Sequence, residues 1–404
     1  MIPGLFAKVS TKEGGPKWKI GVNREKPLYR KSADIRNEFE RDYTRILHST
    51  AYRRLKHKTQ VFSAPHNDHI CTRIEHVTHV ASVSHTISNF LGLNTQLTTA
   101  ISIGHDLGHA PFGHAGEKIL REIAERELGE IFWHEKNSLR FIDKCETLPD
   151  INGKEVNLDL TYAVRDGVIS HCGEVDERFL IPRETALDLG SIEAPNKYSP
   201  YTWEGCIVKV SDKIAYLGRD IEDALTLSIL TRAQIKELRK IVKVPIKEIN
   251  NTVLMHELIM DLCSNSTPEK GICFSTKYLE LMNEVKRFNY RNIYYHDRLK
   301  SYNTYSALII NSIFQWYKDL YREDGTLAEL RRVEKQSPQL STTFTEWLLK
   351  FSDVNNRSDR ANRYENEILY HMKKKEDYIK AIIDFISGMT DNYAIRLFEE
   401  MISF

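Results

Sequence analysis

Long apolar runs are missing from this 404-residue sequence. No window approaches the roughly eighteen uninterrupted apolar residues that a membrane span needs. The start, MIPGLFAKVSTKEGGPKWKI, has no apolar core of signal-peptide length behind a basic leader. Both absences point to a cytoplasmic protein without a membrane partner. An excess of one charge is missing too. Lys and Arg number 57 against 56 Asp and Glu, a net +1, so no global field draws the chain to nucleic acid or anionic lipid. Cysteine is sparse and scattered. Cys71, Cys145, Cys172, Cys206, Cys263 and Cys273 form no CxxC pair, which argues for reduced, mostly buried thiols rather than a disulfide frame or a zinc ribbon. Glycine and proline are few, and no repeat or low-complexity segment stands out.

What is plentiful is apolar residues at helical spacing. Residues 36–55 (RNEFERDYTRILHSTAYRRL) repeat them every three or four positions. In 75–93 a stripe of Val77, Val80, Val83, Ile87 and Leu91 lines one face of a helix. The same period returns at 203–225, 305–321 and 380–401. Only 243–249 (KVPIKEI) and short pieces near 151–158 hint at strands. The expected fold is all-α with few or no strands.

The chain reads as three stretches: an N-terminal arm over 1–35, a core over 36–225, and a C-terminal helical region over 226–404 packing on that core. The arm is rich in Lys, Gly and Pro and promises little regular structure. A loop-rich segment at 146–202, with Pro149, Gly153, Gly167 and Pro182, separates the histidine-rich helices from the one beginning near Trp203. Two basic clusters, 52–58 (YRRLKHK) and 371–380 (HMKKKEDYIK), read first as solvated helix faces, although the former makes some single-strand nucleic-acid contact conceivable.

The stretch 100–117, AISIGHDLGHAPFGHAGE, crowds three histidines, an aspartate and a glutamate among small and apolar residues. A divalent ion in a hydrolase wants three or four imidazole or carboxylate ligands delivered from rigid elements. Neighbours such as His105 and Asp106 diverge by about 100° on a helix, yet converge on one ion if the helix ends there, and Pro111 is a terminator. His109 then lies one turn after His105 on the same face. Further ligands must come from elsewhere in the chain. His76 sits on the polar edge of an apolar helix, and Asp212 is a charge inside an apolar stripe, costly unless paired. Each alone reads as an ordinary polar residue; the order H…HD…D changes that.

That order on helices resembles the HD superfamily of metal-dependent phosphohydrolases. Within it the chain is similar to deoxynucleoside triphosphate (dNTP) triphosphohydrolases of the dGTPase type. The matching stretches are 41–62, 72–87, 105–117 (HDLGHAPFGHAGE), 132–140, 164–174 (VRDGVISHCGE), 202–224 and 384–394. HD alone is a weak signal; the HDLGHxPFGHxGE string preceded by RRLKHKTQVF is specific. The resemblance implies hydrolysis of a dNTP between the 5′ oxygen and the α-phosphorus, releasing deoxynucleoside and intact triphosphate. It implies a divalent cation on His76, His105, Asp106 and Asp212, which Mn, Mg, Fe, Co, Ni or Zn suit in differing degree. His109, His114 and His134 match the family's active-site histidines, with His114 the expected general acid. Glu117 and Glu135 are both placed to fix a histidine tautomer, and the sequence leaves that choice open. Arg73, Lys213 and Tyr216 are implied at the phosphates. Gln60 and Asp220 are implied at the sugar 3′-hydroxyl, with Tyr216 packed so as to exclude a 2′-hydroxyl.

The resemblance also implies a homo-oligomer, a hexamer, and a second dNTP as activator. Two rival readings stand beside it: an HD phosphohydrolase of another nucleotide, and a dNTP-sensing or single-strand-binding module that keeps the HD residues for structure. Gln60, Lys213, Tyr216 and Asp220 argue against the first. The intact ligands and acid–base histidines argue against the second.

Overall fold

A computed structural model describes residues 2–29, 34–62, 67, 69–172, 178–242, 251–354 and 363–403. Among these the chain forms seventeen α-helices and one two-stranded antiparallel sheet, Thr147–Pro149 with Glu155–Asn157. The all-α expectation holds. The strand hint near 151–158 becomes the second strand of this hairpin, which turns through Asp150 and Gly153. The hint at 243–249 lies outside the described residues. No helix among the described residues is long and apolar enough to cross a membrane.

The chain divides into two compact units, each assembled from separated segments. The first comprises 1–47, 60–106 and 160–300. Its central helices are Arg73–Leu91, Thr95–Gly104, Tyr162–Ile169 and Trp203–Thr226. The anticipated stripe of Val77, Val80, Val83, Ile87 and Leu91 is buried on the Arg73 helix. A capping box starts that helix, with Glu75 accepting from the Thr72 backbone N–H at 2.8 Å, and Gly92 in the left-handed region ends it. Helix-to-helix approach is close enough to exclude side chains. A Cβ on Gly167 would meet Ile101 at 2.5 Å, and Gly104 has Ile46 and Val168 against it. The N-terminal residues, although short of regular structure, pack into this unit. Phe6 is fully buried, and Ser10 and Thr11 bond the buried carboxylate of Glu204 at 2.7–3.1 Å.

The second unit comprises 48–59, 107–159 and 301–404. Its core gathers Phe112, Leu120 and Ile123 with Ile310, Phe314, Tyr317, Phe344, Tyr378 and Ile382. The helical pattern of 380–401 resolves into two helices, Lys375–Ser387 and Asp391–Ile402, broken at Gly388–Thr390. Arg140 meets the buried Asp384 carboxylate at 2.6–2.9 Å, and Tyr370 donates its hydroxyl to the same group at 2.7 Å.

Candidate metal centre and histidine cluster

In the first unit three segments deliver acidic and imidazole groups to one place. Helix Thr95–Gly104 stops before His105, so His105 and Asp106 lie on the turn that follows it rather than on the helix. Pro111 is not what ends the helix. His105 is 1% exposed. Its Nδ1 donates to the Ser102 carbonyl at 2.6 Å, which in the neutral ring leaves the lone pair on Nε2. That Nε2 has no hydrogen-bond partner. The nearest charged atoms are carboxylate oxygens, Asp106 Oδ1 at 3.6 Å and Asp212 Oδ1 at 3.9 Å.

His76, on the Arg73 helix, brings Nε2 to 2.9 Å from Asp212 Oδ1 on the Trp203 helix. Burial works against the charged form of His76, but the Asp212 carboxylate outweighs it and raises the pKa. Burial likewise pushes Asp212 up, yet the hydrogen bond from His76 and the neighbouring imidazoles bring it down to about 2. Donor atoms of His76, His105 and Asp212 lie within 4.8 Å of one another. These residues fit a divalent cation. A buried imidazole lone pair facing carboxylate oxygens is repulsive unless a cation or a proton lies between them.

Arg73, fully buried, gives its guanidinium to Asp106 Oδ2 at 2.7 Å and reaches the Gln60 carbonyl at 3.5 Å. The structure thus places Arg73 on an aspartate of this cluster. Gln60 follows the short 3-10 turn Leu55–His57 and a bend. Its side-chain Oε1 is buried without a partner. Lys213 is buried next to Asp212 in sequence, and Tyr216 packs among Leu217, Ile221 and Phe288. Asp220, two turns beyond Asp212, accepts from the Tyr294 hydroxyl at 2.5 Å. Burial and the Asp220 charge hold the Tyr294 hydroxyl well above its usual pKa, so it stays a donor. Sequence reasoning missed Tyr294, one of three tyrosines in YRNIYY (290–295).

The second unit carries the other histidines. His109 follows the turn, and its carbonyl accepts from the buried Lys58 ammonium, which also bonds the Ser387 carbonyl at 3.0 Å. Gly108 allows this course, since a Cβ there would lie 2.1 Å from the Ser138 nitrogen. Phe112 takes φ 63°, unusual for an aromatic residue, and opens helix Gly113–Leu128. Asp391 holds that strained residue by accepting its N–H at 2.8 Å, while its other oxygen accepts from Thr59 N at 3.0 Å.

Rings of His109 and His134 stack at 4.3 Å, and His114 stands 5.5 Å from His109. Glu117 is buried. Its oxygens lie 3.2–3.3 Å from His134 Nδ1 and 3.4 Å from His114 Nδ1, and accept the His134 backbone N–H at 3.0 Å. Glu135 Oε2 stands 3.4 Å from the same His134 nitrogen. Both carboxylates therefore touch His134, and Glu117 alone also reaches His114. Burial would raise Glu117, but His134 and His114 outweigh it and hold the carboxyl far below the usual range.

Residues 73–217 match the HD domain, and residues 358–400 match a phosphohydrolase-associated domain. The sequence match identifies an HD-domain protein, and the helical fold agrees with it. A deoxyguanosinetriphosphate triphosphohydrolase-like protein of Desulfatibacillum aliphaticivorans is 35% identical over 286 residues, covering 70% of this chain and 74% of the relative. One from Pelagibacter ubique is 30% identical, covering 90% and 92%. Another, from Caldanaerobacter subterraneus subsp. tengcongensis, is 29% identical, covering 91% and 86%. The chain belongs to this family of deoxyguanosinetriphosphate triphosphohydrolase-like HD proteins.

Proposed function

We propose that the chain is a metal-dependent hydrolase that cleaves dNTPs, dGTP among them, to deoxynucleoside and inorganic triphosphate. The observation that carries this reading is the buried, unpartnered His105 Nε2 facing two carboxylates beside His76. That donor set suits a divalent cation, in a chain of the dGTPase-like family. His76, His105, Asp106 and Asp212 would hold the ion. When bound, a divalent cation supplies Lewis-acid charge at the α-phosphate and lowers the pKa of an attacking water.

The remaining work falls to side chains. Lys213 and Arg73 offset phosphate charge, and Arg73 also fixes the Asp106 carboxylate in orientation. His114, largely exposed and backed by Glu117, protonates the departing 5′ oxygen. His109 and His134 neutralise charge growing on the α-phosphoryl oxygens, and Glu117 keeps His134 oriented. Glu135 adds a second negative charge beside the same ring. Gln60 Oε1, buried and unpartnered, accepts the sugar 3′-hydroxyl proton, with Asp220 as its partner in that contact. A sugar lacking the hydroxyl leaves these groups unpaired and is rejected. Tyr216 leaves no room for a 2′-hydroxyl.

Turnover of the four dNTPs, singly and in pairs, with chromatographic identification of products tests this reading. Triphosphate and deoxynucleoside are the expected products, and faster turnover of one dNTP in the presence of another supports activation by a second nucleotide. Phosphate or pyrophosphate as the product points to another HD phosphohydrolase. Binding without turnover points to a sensing module.

A further inference from the structure

His171 has no role in the mechanism above, yet it is held as His105 is held. It lies just past the end of helix Tyr162–Ile169 and is 1% exposed. Its Nδ1 meets the Val168 carbonyl at 2.6 Å, as the His105 Nδ1 meets Ser102 at 2.6 Å. In both cases the acceptor is the carbonyl three residues back. A carbonyl only accepts, so each Nδ1 carries the proton and each neutral ring keeps its lone pair on Nε2. Two imidazoles at the exits of two different helices thus have the same tautomer fixed by the same device. The orientation of a metal-binding histidine is commonly set this way, by a carbonyl on its other nitrogen.

The two rings lie edge to face with centroids 4.7 Å apart. Donor atoms of His105, Asp106 and His171 fall within 4.8 Å of one another, as those of His76, His105 and Asp212 do. The triads share His105. With Nδ1 committed to Ser102, His105 has one lone pair to give, and one lone pair serves one ion. Both triads therefore surround a single cation position.

We propose that His171 is a fifth protein ligand of that cation, beside His76, His105, Asp106 and Asp212. This rests on the metal-site reading above and extends it. Three imidazole nitrogens and two carboxylate oxygens select Mn, Fe, Co or Ni, which accept mixed nitrogen–oxygen sets, over Mg, which prefers oxygen. The competing role is packing alone: a buried histidine held in place through its bond to the Val168 carbonyl.

Metal affinity and ligand field separate the two. The full-length protein is loaded with Co(II), its affinity measured by chelator competition and its visible d–d spectrum recorded. The variants are His171→Ala, His171→Asn, His76→Ala and, as a control, the exposed His85→Ala. His171→Asn retains a donor for Val168, so it preserves the packing role if His171→Ala fails to fold. The expected result is a loss of affinity of about 10- to 100-fold in both His171 variants with a changed spectrum, a larger loss in His76→Ala, and none in His85→Ala. Wild-type affinity and spectrum in His171→Asn, with metal lost in His76→Ala, would overturn the fifth ligand and leave the four-ligand site standing. Wild-type affinity in His76→Ala as well would overturn the site itself.

Discussion

In the first unit His105 turns an unpartnered nitrogen toward Asp106 and Asp212, whereas in the second unit His114 and His134 turn theirs to Glu117. The first arrangement collects electron-pair donors around the His105 lone pair, with the Arg73 guanidinium bonded to Asp106. The second sets the imidazoles of His114 and His134 against the Glu117 carboxylate. In the proposed reading the first is the ligand site and the second handles protons. That reading also predicts that the two will respond differently to metal and to mutation.

Metal removal should strike the first arrangement hardest. Asp106→Ala should bind no metal in elemental analysis and should hydrolyse no dNTP, while still folding on its apolar core. Chelation should lower the wild-type melting temperature and leave that of Asp106→Ala unmoved. The stabilisation lost is about 4 kcal/mol if the ion is present at about a thousand times its Kd. An Asp106→Ala protein with full metal content would break the contrast between the units.

His114→Ala removes a member of the second arrangement. It should keep metal and dNTP binding and lower kcat by roughly 10² to 10⁴. A loss confined to KM would remove His114 from the chemistry. Smaller in effect is Glu117→Gln, which keeps the shape and loses the charge, at a cost of about 1–3 kcal/mol. The sign of its pH dependence follows from the depressed pKa of Glu117. Its stabilisation is complete above the unfolded value near 4.3 and is lost as pH falls toward the folded value. The melting-temperature gap between wild type and Glu117→Gln should thus stay open at pH 5–7 and close below about pH 4. A gap that closes at pH 6 instead would assign the stabilisation to another group.

Gln60→Ala sharpens the substrate side. Against a 2′,3′-dideoxy analogue, a double-mutant cycle of residue and hydroxyl should give a coupling of about 1–3 kcal/mol. Equal losses with both substrates would reduce Gln60 to a structural role.

Much of this was legible in the sequence, for physical reasons that also set the limit. The Arg73 and Trp203 helices declare themselves because apolar residues three and four apart must share a buried face. The ligand candidates stood out because a charge such as Asp212 inside such a stripe needs a partner. The early stop of the helix at Gly104 was hidden. Pro111 is the conspicuous terminator, yet the chain turns earlier, where the Ser102 carbonyl is taken by the His105 ring. His171 and Tyr294 carry no periodic or charge signal, and each reads as one more core residue. The hint at His171 was its place in the family-like stretch VRDGVISHCGE, where it had no assigned role. The joining of 48–59 and 107–159 with 301–404 leaves no local trace, since long-range packing is written in complementary shapes rather than in spacing.

The proposed reaction is attack of water at the α-phosphorus of a dNTP with departure of the 5′ oxygen. Mass spectrometry of products formed from dGTP and Mn(II) in water enriched in oxygen-18 tests it most directly. One heavy oxygen should appear in inorganic triphosphate and none in deoxyguanosine. Deoxyguanosine monophosphate with pyrophosphate, or label in the deoxyguanosine 5′-hydroxyl, would contradict it.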